Sequence, residues 1–219
     1  MNVKKYNKKI YLLTGGITNY THHEKSEFKT DETGIYSMTS AKIAEQLTNN
    51  IIKLFPENYK IRVTDATASI GGNTIPFLIT DNFLLVNIVE KNAERFKMLK
   101  KNISVIKKKI IGDYLLFNDS YLKIYKDLRQ DIVFIDPPWG GPDYYKYKNL
   151  ILYLDEIHLG KICRRILLDI EDLKFIVIKT PKNFFINDFI EICGEGLCTE
   201  KMSVSNKLKK INIYKIYKR

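Results

Sequence analysis

Cysteine, tryptophan and long apolar runs are all scarce in this chain of 219 residues. The three cysteines, Cys163, Cys193 and Cys198, form no CxxC pair, which argues against a disulfide framework or a zinc knuckle. The longest apolar run, at 83–89, is far shorter than the ~20 residues of a membrane-spanning helix. No small-residue cleavage site follows the basic N-terminus, so we expect no signal or transit peptide. These absences favour an intracellular protein of nucleus or cytoplasm, with no membrane contact.

Positive charge is in excess. Lys and Arg number 36 against 25 Asp and Glu, which gives a net charge of +11. Because 45% of the residues are hydrophobic, the chain can bury a substantial core, and its charge is carried by a folded domain. Such a surplus indicates a polyanionic partner such as a nucleic acid, whose phosphates attract lysine and arginine. A Lys-rich genome is the alternative explanation.

Short apolar runs alternate with helix-length segments after residue 60. Strands are predicted at 61–66, 83–90, 108–113, 131–136 and 175–180, and helices at 72–80, 91–103, 119–127 and 153–170. This alternation predicts an α/β fold with right-handed βαβ units and a parallel sheet covered by helices on both faces.

The two ends of the chain differ from this pattern. Apolar residues at helical spacing predict an amphipathic helix over 41–55, and we interpret residues 1–60 as an N-terminal helical cap on a main domain of residues 61–219. The C-terminal stretch 201–218 has the pattern of a hairpin, which would add an antiparallel edge to the sheet.

Acidic residues follow the first three predicted strands, at the edge where doubly wound sheets bind ligands. Asp65 leads into a glycine turn at Gly71 and is a candidate to hold a cationic amino group. Glu90 could accept the hydroxyls of a ribose, and Asp113 an adenine amine. A GxGxxG dinucleotide fingerprint is absent, so this order of acids fits S-adenosylmethionine better. Any one of them, taken alone, is as well explained as a helix cap.

The fourth predicted strand ends in the segment DPPWGGPDY at 136–144. Consecutive prolines lack N–H groups and keep the backbone extended, which leaves carbonyl acceptors for an exocyclic amine. Asp136 and the Pro137 carbonyl would orient that amine for methylation, and Trp139 would stack on its ring. The alternative is a structural turn with Trp139 in the core.

Four ordered segments resemble the trimethylguanosine synthase family, which methylates the guanine 2-amino group of 7-methylguanosine RNA caps. They are DETGIYSMT at 31–39, DATASIGGNT at 65–74, DPPWGGPDY at 136–144 and KTPKN at 179–183, and the resemblance covers about residues 28–185. It implies a Rossmann-like class I methyltransferase with a mostly parallel seven-stranded sheet. It also implies S-adenosylmethionine as cofactor, 7-methylguanosine-capped RNA as partner, a monomer and no metal.

The resemblance also implies roles by position. The cofactor-binding residues would be Asp65, Ala66, Gly71, Asn73, Glu90, Asp113 and Asp136. The substrate-binding residues would be Ser37, Thr39, Trp139, Lys179, Lys182 and Asn183. Asp136, Pro137 and Trp139 would be catalytic, with Trp139 stacked on the cationic 7-methylguanine.

The chain departs from the family at three positions. The family usually has glycine where Ser69 stands, tryptophan where Ile35 stands and proline where Ser40 stands. Ser69 bears on cofactor affinity, and the other two bear on the phosphate contacts. Two further functions therefore stay open: methylation of an internal guanine or adenine amine in ribosomal RNA or DNA, and cap binding without catalysis.

Other polar and aromatic clusters have less specific interpretations. His22 and His23 have no third ligand nearby in the sequence, which argues against a metal site. The tyrosines at 144, 145 and 147 either line an RNA path or pack on the sheet. The lysines at 100, 101 and 107–109 form either a solvated face or a nucleic-acid contact.

Overall fold

The computed structural model describes residues 22–203 and 211–219, and its centre is a seven-stranded sheet. The strands of this sheet are β1 (Ile61–Asp65), β2 (Phe83–Val89), β3 (Asp113–Phe117), β4 (Ile132–Ile135), β7 (Phe175–Pro181), β8 (Leu197–Lys201) and β9 (Ile211–Lys218). Their order across the sheet is β3-β2-β1-β4-β7-β9-β8. A separate two-stranded hairpin consists of β5 (Tyr153–Leu154) and β6 (Ile157–His158).

Strands β3, β2, β1, β4 and β7 are parallel, and β9 is antiparallel to both β7 and β8. All four residues of β4 are buried, as expected for a central strand covered on both faces. Strand order reverses between β1 and β4, so the ligand crevice is expected at their carboxyl ends. The predicted α/β fold, with its mostly parallel sheet and antiparallel C-terminal hairpin, is confirmed.

The helices pack on both sides of the sheet. They are α1 (His22–Glu27), α2 (Glu32–Ser37), α3 (Ala41–Ile52), α4 (Thr74–Leu78), α5 (Ala93–Val105), α6 (Tyr121–Ile124), α7 (Leu159–Asp169) and α8 (Ile186–Cys193). In the part of the chain that the structure describes, every helix is too short or too polar to cross a membrane.

The third predicted strand, 108–113, is wrong. Asp113 begins β3 instead of ending it, because Asp113 pairs with Leu85 and Phe117 pairs with Val89. The chain enters the strand at Gly112, where a Cβ atom would lie 2.2 Å from the Phe83 carbonyl oxygen, so only glycine fits. Asp113 is therefore an exposed residue at the amino edge of the sheet, opposite the predicted ligand edge.

Three other boundaries differ from the predictions. The helix predicted over 153–170 begins only at Leu159, because β5 and β6 precede it. The helix predicted over 119–127 is the short α6. The first hairpin strand ends at Lys201, where the prediction began, and residues 204–210 lie outside the described residues.

The N-terminal helices share a core with the sheet. Phe28 and Leu47 belong to the same buried cluster as Val63 of β1. Asn102 of α5 is fully buried and binds two segments at once: its side chain exchanges two hydrogen bonds with the backbone of Lys29 and donates a third to the carbonyl of Ile70. The domain division at residue 60 stays a prediction.

Candidate active site

A cavity of about 500 Å³ lies at the carboxyl ends of β1, β2, β3, β4 and β7. Its walls come from the loops that follow these strands and from residues 33–39 of the N-terminal part. Four of the predicted cofactor residues line it: Ala66, Asn73, Glu90 and Asp136. Three others do not, namely Asp65, Gly71 and Asp113.

Asp65 lies one layer beneath the cavity wall. Its side chain is fully buried and accepts hydrogen bonds from the Thr74 hydroxyl at 2.6 Å and from the Thr67 backbone N–H at 3.3 Å. Asp65 therefore stabilises the conformation of the loop, because both its carboxyl oxygens accept hydrogen bonds from residues of the loop. The predicted direct contact with a cofactor amino group is not what the structure provides.

Burial raises the pKa of the Asp65 carboxyl to about 7, and the neighbouring carboxylates of Asp136 and Glu90 add to the rise. The hydrogen bonds from Thr74 and Thr67 act in the opposite direction. Desolvation dominates because charge in a buried site loses its hydration. The loop after β1 is therefore stabilised by a carboxyl group, that of Asp65, whose charge changes near neutral pH.

Glu90 and Ser69 fix the upper part of the same loop. The Glu90 carboxylate accepts hydrogen bonds from the backbone N–H groups of Ser69, at 2.8 Å, and Asn92, at 2.7 Å. Each oxygen keeps lone-pair capacity for a ribose hydroxyl. Ser69 has a φ of +50°, a left-handed conformation that is energetically unfavourable for a residue with a Cβ atom. The family's usual glycine at this position thus has a physical reason.

Asp119 takes the place that the sequence analysis gave to Asp113. It follows β3, lines the cavity, and lies beside the end of β2, since Asn118 donates a hydrogen bond to the Glu90 carbonyl at 2.9 Å. The signal that could have identified Asp119 is the strand-like run DYLLF at 113–117 just before it. The apolar pair at 110–111 instead favoured the prediction of a strand at 108–113.

Asp136 is held by three neighbouring side chains. Its Oδ2 atom accepts from the Lys179 ammonium at 2.6 Å and from the Asn73 amide at 3.2 Å, and its backbone N–H donates to the Thr67 hydroxyl at 2.8 Å. In the described parts of the chain, its Oδ1 atom has no hydrogen-bond partner. The carboxylate is thus oriented through one oxygen, which leaves the other able to receive a donor.

Trp139 lies at the mouth of the cavity. Its ring is 4.9 Å from the Lys179 ammonium and 5.1 Å from the Tyr144 ring, which it meets edge to face. Its indole nitrogen is buried and has no hydrogen-bond partner among the described residues. The ring is only partly buried and contacts both apolar clusters of the core, so Trp139 combines a packing role with a surface facing the cavity.

The predicted substrate residues fall into two groups. Ser37, Thr39 and Lys179 line the main cavity, together with Trp139. Lys182 and Asn183 instead line a second, more open depression beside it. Lys179, predicted to bind substrate, has a side chain that is 5% exposed and ion-paired with Asp136.

Two contacts hold the N-terminal part over the cavity. Arg95 of α5 forms an ion pair with Asp31 at 3.3 Å, and Asp31 caps α2 by accepting from the Gly34 backbone N–H. At the other side, the Tyr36 hydroxyl donates to the Pro142 carbonyl at 3.1 Å. Helix α2 therefore links the cofactor side of the cavity to the loop that carries Trp139.

The chemistry of the cavity fits a polar, cationic ligand. Its volume is typical of small-molecule sites, and acidic side chains at Glu90, Asp119 and Asp136 line it. Its three cationic side chains are each ion-paired with an acid; they are Lys91, Arg95 and Lys179. Thr39 and Asn73 each carry a buried side-chain oxygen that has no partner within the described ranges. These unsatisfied atoms indicate a ligand that completes their hydrogen bonds.

Metal binding has no support in the described residues, where no group of three or more histidine, cysteine and acidic side chains is arranged to hold an ion. His23 is described, and the side chain of His22 lies outside the described set.

Comparison with known proteins gives a consistent result. A family model described as RNA cap guanine-N2 methyltransferase matches residues 60–219. An uncharacterised protein of Acanthamoeba polyphaga mimivirus is 30% identical over 191 residues, which cover 78% of this chain and 73% of the relative. The trimethylguanosine synthase of Schizosaccharomyces pombe is 29% identical over 183 residues, which cover 79% of this chain and 70% of that one.

Among solved structures, a mutant of MtNAS in complex with S-adenosylmethionine superposes with a TM-score of 0.60 and 12% identity. The superposition covers 99% of this chain and 74% of that chain. At this identity the similarity concerns the fold alone.

Proposed function

Since this chain belongs to the RNA cap guanine-N2 methyltransferase family, we propose that it methylates the guanine 2-amino group of a 7-methylguanosine RNA cap. Family membership makes the protein an S-adenosylmethionine-dependent methyltransferase. The proposed part is the acceptor, a capped RNA whose guanine becomes di- or trimethylated.

One observation carries the proposal: Asp136 and Trp139 lie together at the cavity, with the carboxylate oriented and the ring partly exposed. A flat base that stacks on Trp139 would bring its exocyclic amine toward Asp136 and the Pro137 carbonyl. Stacking on an aromatic ring contributes roughly 1–3 kcal/mol per base. The combination selects a heteroaromatic amine over an aliphatic one.

The cofactor, when bound, supplies an electrophilic methyl group. Asp119, Glu90 and the backbone of the loop after β1 are the groups that would hold it, through its adenine, ribose and methionine parts respectively. Asp65 supports that loop from below. Hydrogen bonds within the chain orient Glu90 and the loop after β1.

The protein's work on the acceptor is orientation. The 2-amino nitrogen of guanine is a poor nucleophile because its lone pair is delocalised into the ring. Asp136 Oδ1 and the Pro137 carbonyl, by accepting the two amine hydrogens, would favour pyramidal nitrogen and aim its lone pair at the methyl group. Asp136 is then placed to accept the proton that the amine loses.

The charge of the site is compatible with a cationic base. A 7-methylguanine ring is positively charged, and the Lys179 ammonium already lies near the Trp139 face. Asp136 neutralises Lys179 through the 2.6 Å ion pair, so the pair as a whole does not oppose a second cation. Ser37 and Thr39 line the cavity and Lys182 lies beside it, and we propose that these side chains receive the cap phosphates.

A direct assay tests the proposal. The protein is incubated with labelled S-adenosylmethionine and with one of three acceptors: a 7-methylated cap dinucleotide, the same dinucleotide without the 7-methyl group, or uncapped RNA. We expect transfer to the first alone, and mass spectrometry of the product gives the position and number of methyl groups. Absence of transfer to the 7-methylated cap would refute the proposal.

A second acceptor class has its own supporting observation. Because Lys179 and Asp136 neutralise each other, the site beside Trp139 offers no net negative charge that would favour a cationic base over a neutral one. An internal guanine or adenine amine in ribosomal RNA or DNA is therefore the alternative. Competition separates the two, because 7-methylated cap analogue should inhibit a cap enzyme and leave an internal-base enzyme unaffected.

The third possibility, cap binding without catalysis, arises from the left-handed Ser69 in the cofactor loop. Calorimetry with S-adenosylmethionine tests it. Binding in the micromolar range, typical of a working cofactor site, would argue against a non-catalytic protein.

A further inference from the structure

Three tyrosine side chains line the depression next to the cavity. Tyr36, Tyr144 and Tyr145 form it together with Pro142, Asp143, Lys182 and Asn183. Tyr36 and Tyr144 line the main cavity as well, so the two spaces are continuous. We call this depression, defined by these seven residues, the tyrosine groove.

A row of rings leads from the cavity into the tyrosine groove. Trp139 meets Tyr144 edge to face at 5.1 Å, and Tyr144 meets Tyr145 edge to face at 6.2 Å. Tyr145 is 67% exposed, although apolar rings of this size are usually covered. The exposure excludes the alternative that Tyr145 packs on the sheet, and it leaves ring surface free for a ligand.

The groove is held in shape by hydrogen bonds that leave its ring faces free. Asn183 donates to the backbone carbonyls of Tyr144 at 2.8 Å and Tyr147 at 2.6 Å, which fixes the turn that carries Tyr145. The Tyr36 hydroxyl binds the Pro142 carbonyl across the groove. The side chain of Asn183, predicted to bind substrate, is thus used to build the groove.

The charge of the groove favours phosphate. Lys182 is exposed, and within residues 22–203 and 211–219 it forms no ion pair, so its charge is available to a ligand. The groove also contains one acid, Asp143, whose charge is offset by an ion pair with Lys146 at 2.9 Å. Exposed aromatic rings beside an unpaired lysine are the recurring features of surfaces that bind single-stranded nucleic acid.

We infer that the tyrosine groove binds the RNA nucleotide that follows the cap, with its base stacked on Tyr145 and the adjoining phosphate on Lys182. This inference rests on the proposed function, because the groove continues from the ring on which the cap guanine would stack. It assigns a binding subsite for single-stranded RNA beyond the cap itself. The protein would then distinguish a capped RNA from a free cap nucleotide.

The test compares three probes by calorimetry: 7-methylguanosine triphosphate, a 7-methylguanosine-capped trinucleotide, and an uncapped RNA trinucleotide. We expect the capped trinucleotide to bind roughly tenfold tighter than the bare cap nucleotide, as one stacked base provides. Tyr145→Ala should remove that difference and leave affinity for the bare cap nucleotide unchanged. Tyr145→Phe, which keeps the ring, should retain it.

Different results identify which statement fails. Equal affinity of the wild-type protein for 7-methylguanosine triphosphate and for the capped trinucleotide would overturn the inference while the proposed function stands. If Tyr145→Ala lost affinity for these two probes equally, the inference would also be overturned, since the residue would then serve the cap site. If neither of these two probes bound, and the uncapped trinucleotide bound in a Tyr145-dependent way, the cap acceptor would be refuted and the groove supported.

Discussion

The loop after β1 and the loop after β4 line the same cavity, yet they are held very differently. In the first, Asp65, Glu90 and Asn102 each bind backbone or hydroxyl groups of the loop, and most of its residues are buried. In the second, a Cβ atom added at Gly140 or Gly141 would meet nothing within 4 Å. The cofactor side of the site is preorganised, and the acceptor side is open to a large substrate.

The largest effect is expected where the open loop is anchored. Asp136→Asn removes the negative charge that would orient the amine and accept its proton, and it leaves the buried Lys179 ammonium without a counter-ion. We expect methyl transfer to fall by roughly 10²–10³-fold, the usual effect of losing one preorganised electrostatic group. Initial rates with labelled cofactor measure it.

Asp143→Asn is the matched control, since this acid lies in the same loop with its side chain 63% exposed. It should retain most of the activity. An Asp136→Asn enzyme of near wild-type rate would mean that the Pro137 carbonyl alone orients the amine.

A second prediction concerns the buried side of the comparison and its pH dependence. The folded-state pKa of Asp65, about 7, lies above the ordinary Asp value, so the folded protein binds one more proton than the unfolded chain between pH 4 and 7. The contribution of Asp65 to the free energy of unfolding is therefore fully present below pH 4 and decreases by roughly 4 kcal/mol as the pH rises to 7. In Asp65→Asn this decrease should be absent.

Urea unfolding at a series of pH values checks this slope. Asp81→Asn, an exposed acid with 72% side-chain exposure, should leave it unchanged. A wild-type protein whose stability rises from pH 4 to 7 would contradict the assignment, unless other groups with lowered pKa, such as Asp131, exceed the contribution of Asp65. The difference between wild type and Asp65→Asn isolates the one group.

A third prediction distinguishes the acceptor side of the cavity from its cofactor side by measuring the binding of each ligand separately. Trp139→Ala should weaken binding of a 7-methylated cap nucleotide by roughly 10–100-fold, because the stacking surface is lost. Cofactor affinity should change little. Trp139→Phe, which keeps an aromatic face, should recover part of the cap affinity. Equal losses of cap and cofactor binding, measured by calorimetry, would show that Trp139 acts through packing alone.

The smallest expected effect is at Ser69, the one strained position of the well-held loop. Ser69→Gly should raise the free energy of unfolding by about 0.5–1 kcal/mol, because glycine adopts positive φ without a steric cost. Ser104→Gly, in the last turn of α5, should lower it instead, because glycine loses more backbone entropy than serine when it is held in a helix. Denaturant titration measures both, and a loss of stability in Ser69→Gly would remove strain as the explanation of the family's glycine.

The central strands and the end of β4 were predicted correctly for a physical reason. Central strands such as β4 are buried on both faces, so their apolar runs stand out, and the prolines after Asp136 mark the end of the strand. The edge strand β3 is only partly buried, with Leu115 half exposed, and its pattern was weaker than that of the apolar pair at 110–111. Because the third strand was predicted about five residues too early, Asp113 was assigned as the acid that follows it, and Asp119 was missed.

Side-chain pairing within the site could not be predicted in the same way. Lys179 and Asp136 are 43 residues apart and meet only because β4 and β7 are neighbours in the sheet. Likewise, nothing in the order of residues indicates that Asp65 points beneath its loop instead of into the cavity. Contacts of this kind depend on the three-dimensional arrangement of the strands and on which oxygen is left uncovered.

The buried amide of Asn102 has a consequence for how the molecule unfolds. Because it joins the segment before α2, the cofactor loop and α5, the N-terminal helices cannot detach without breaking the two hydrogen bonds between this fully buried side chain and the Lys29 backbone. We therefore expect the N-terminal helices and the sheet to melt in one cooperative transition. Removal of residues 1–60 would then yield an aggregation-prone chain and not a smaller working enzyme.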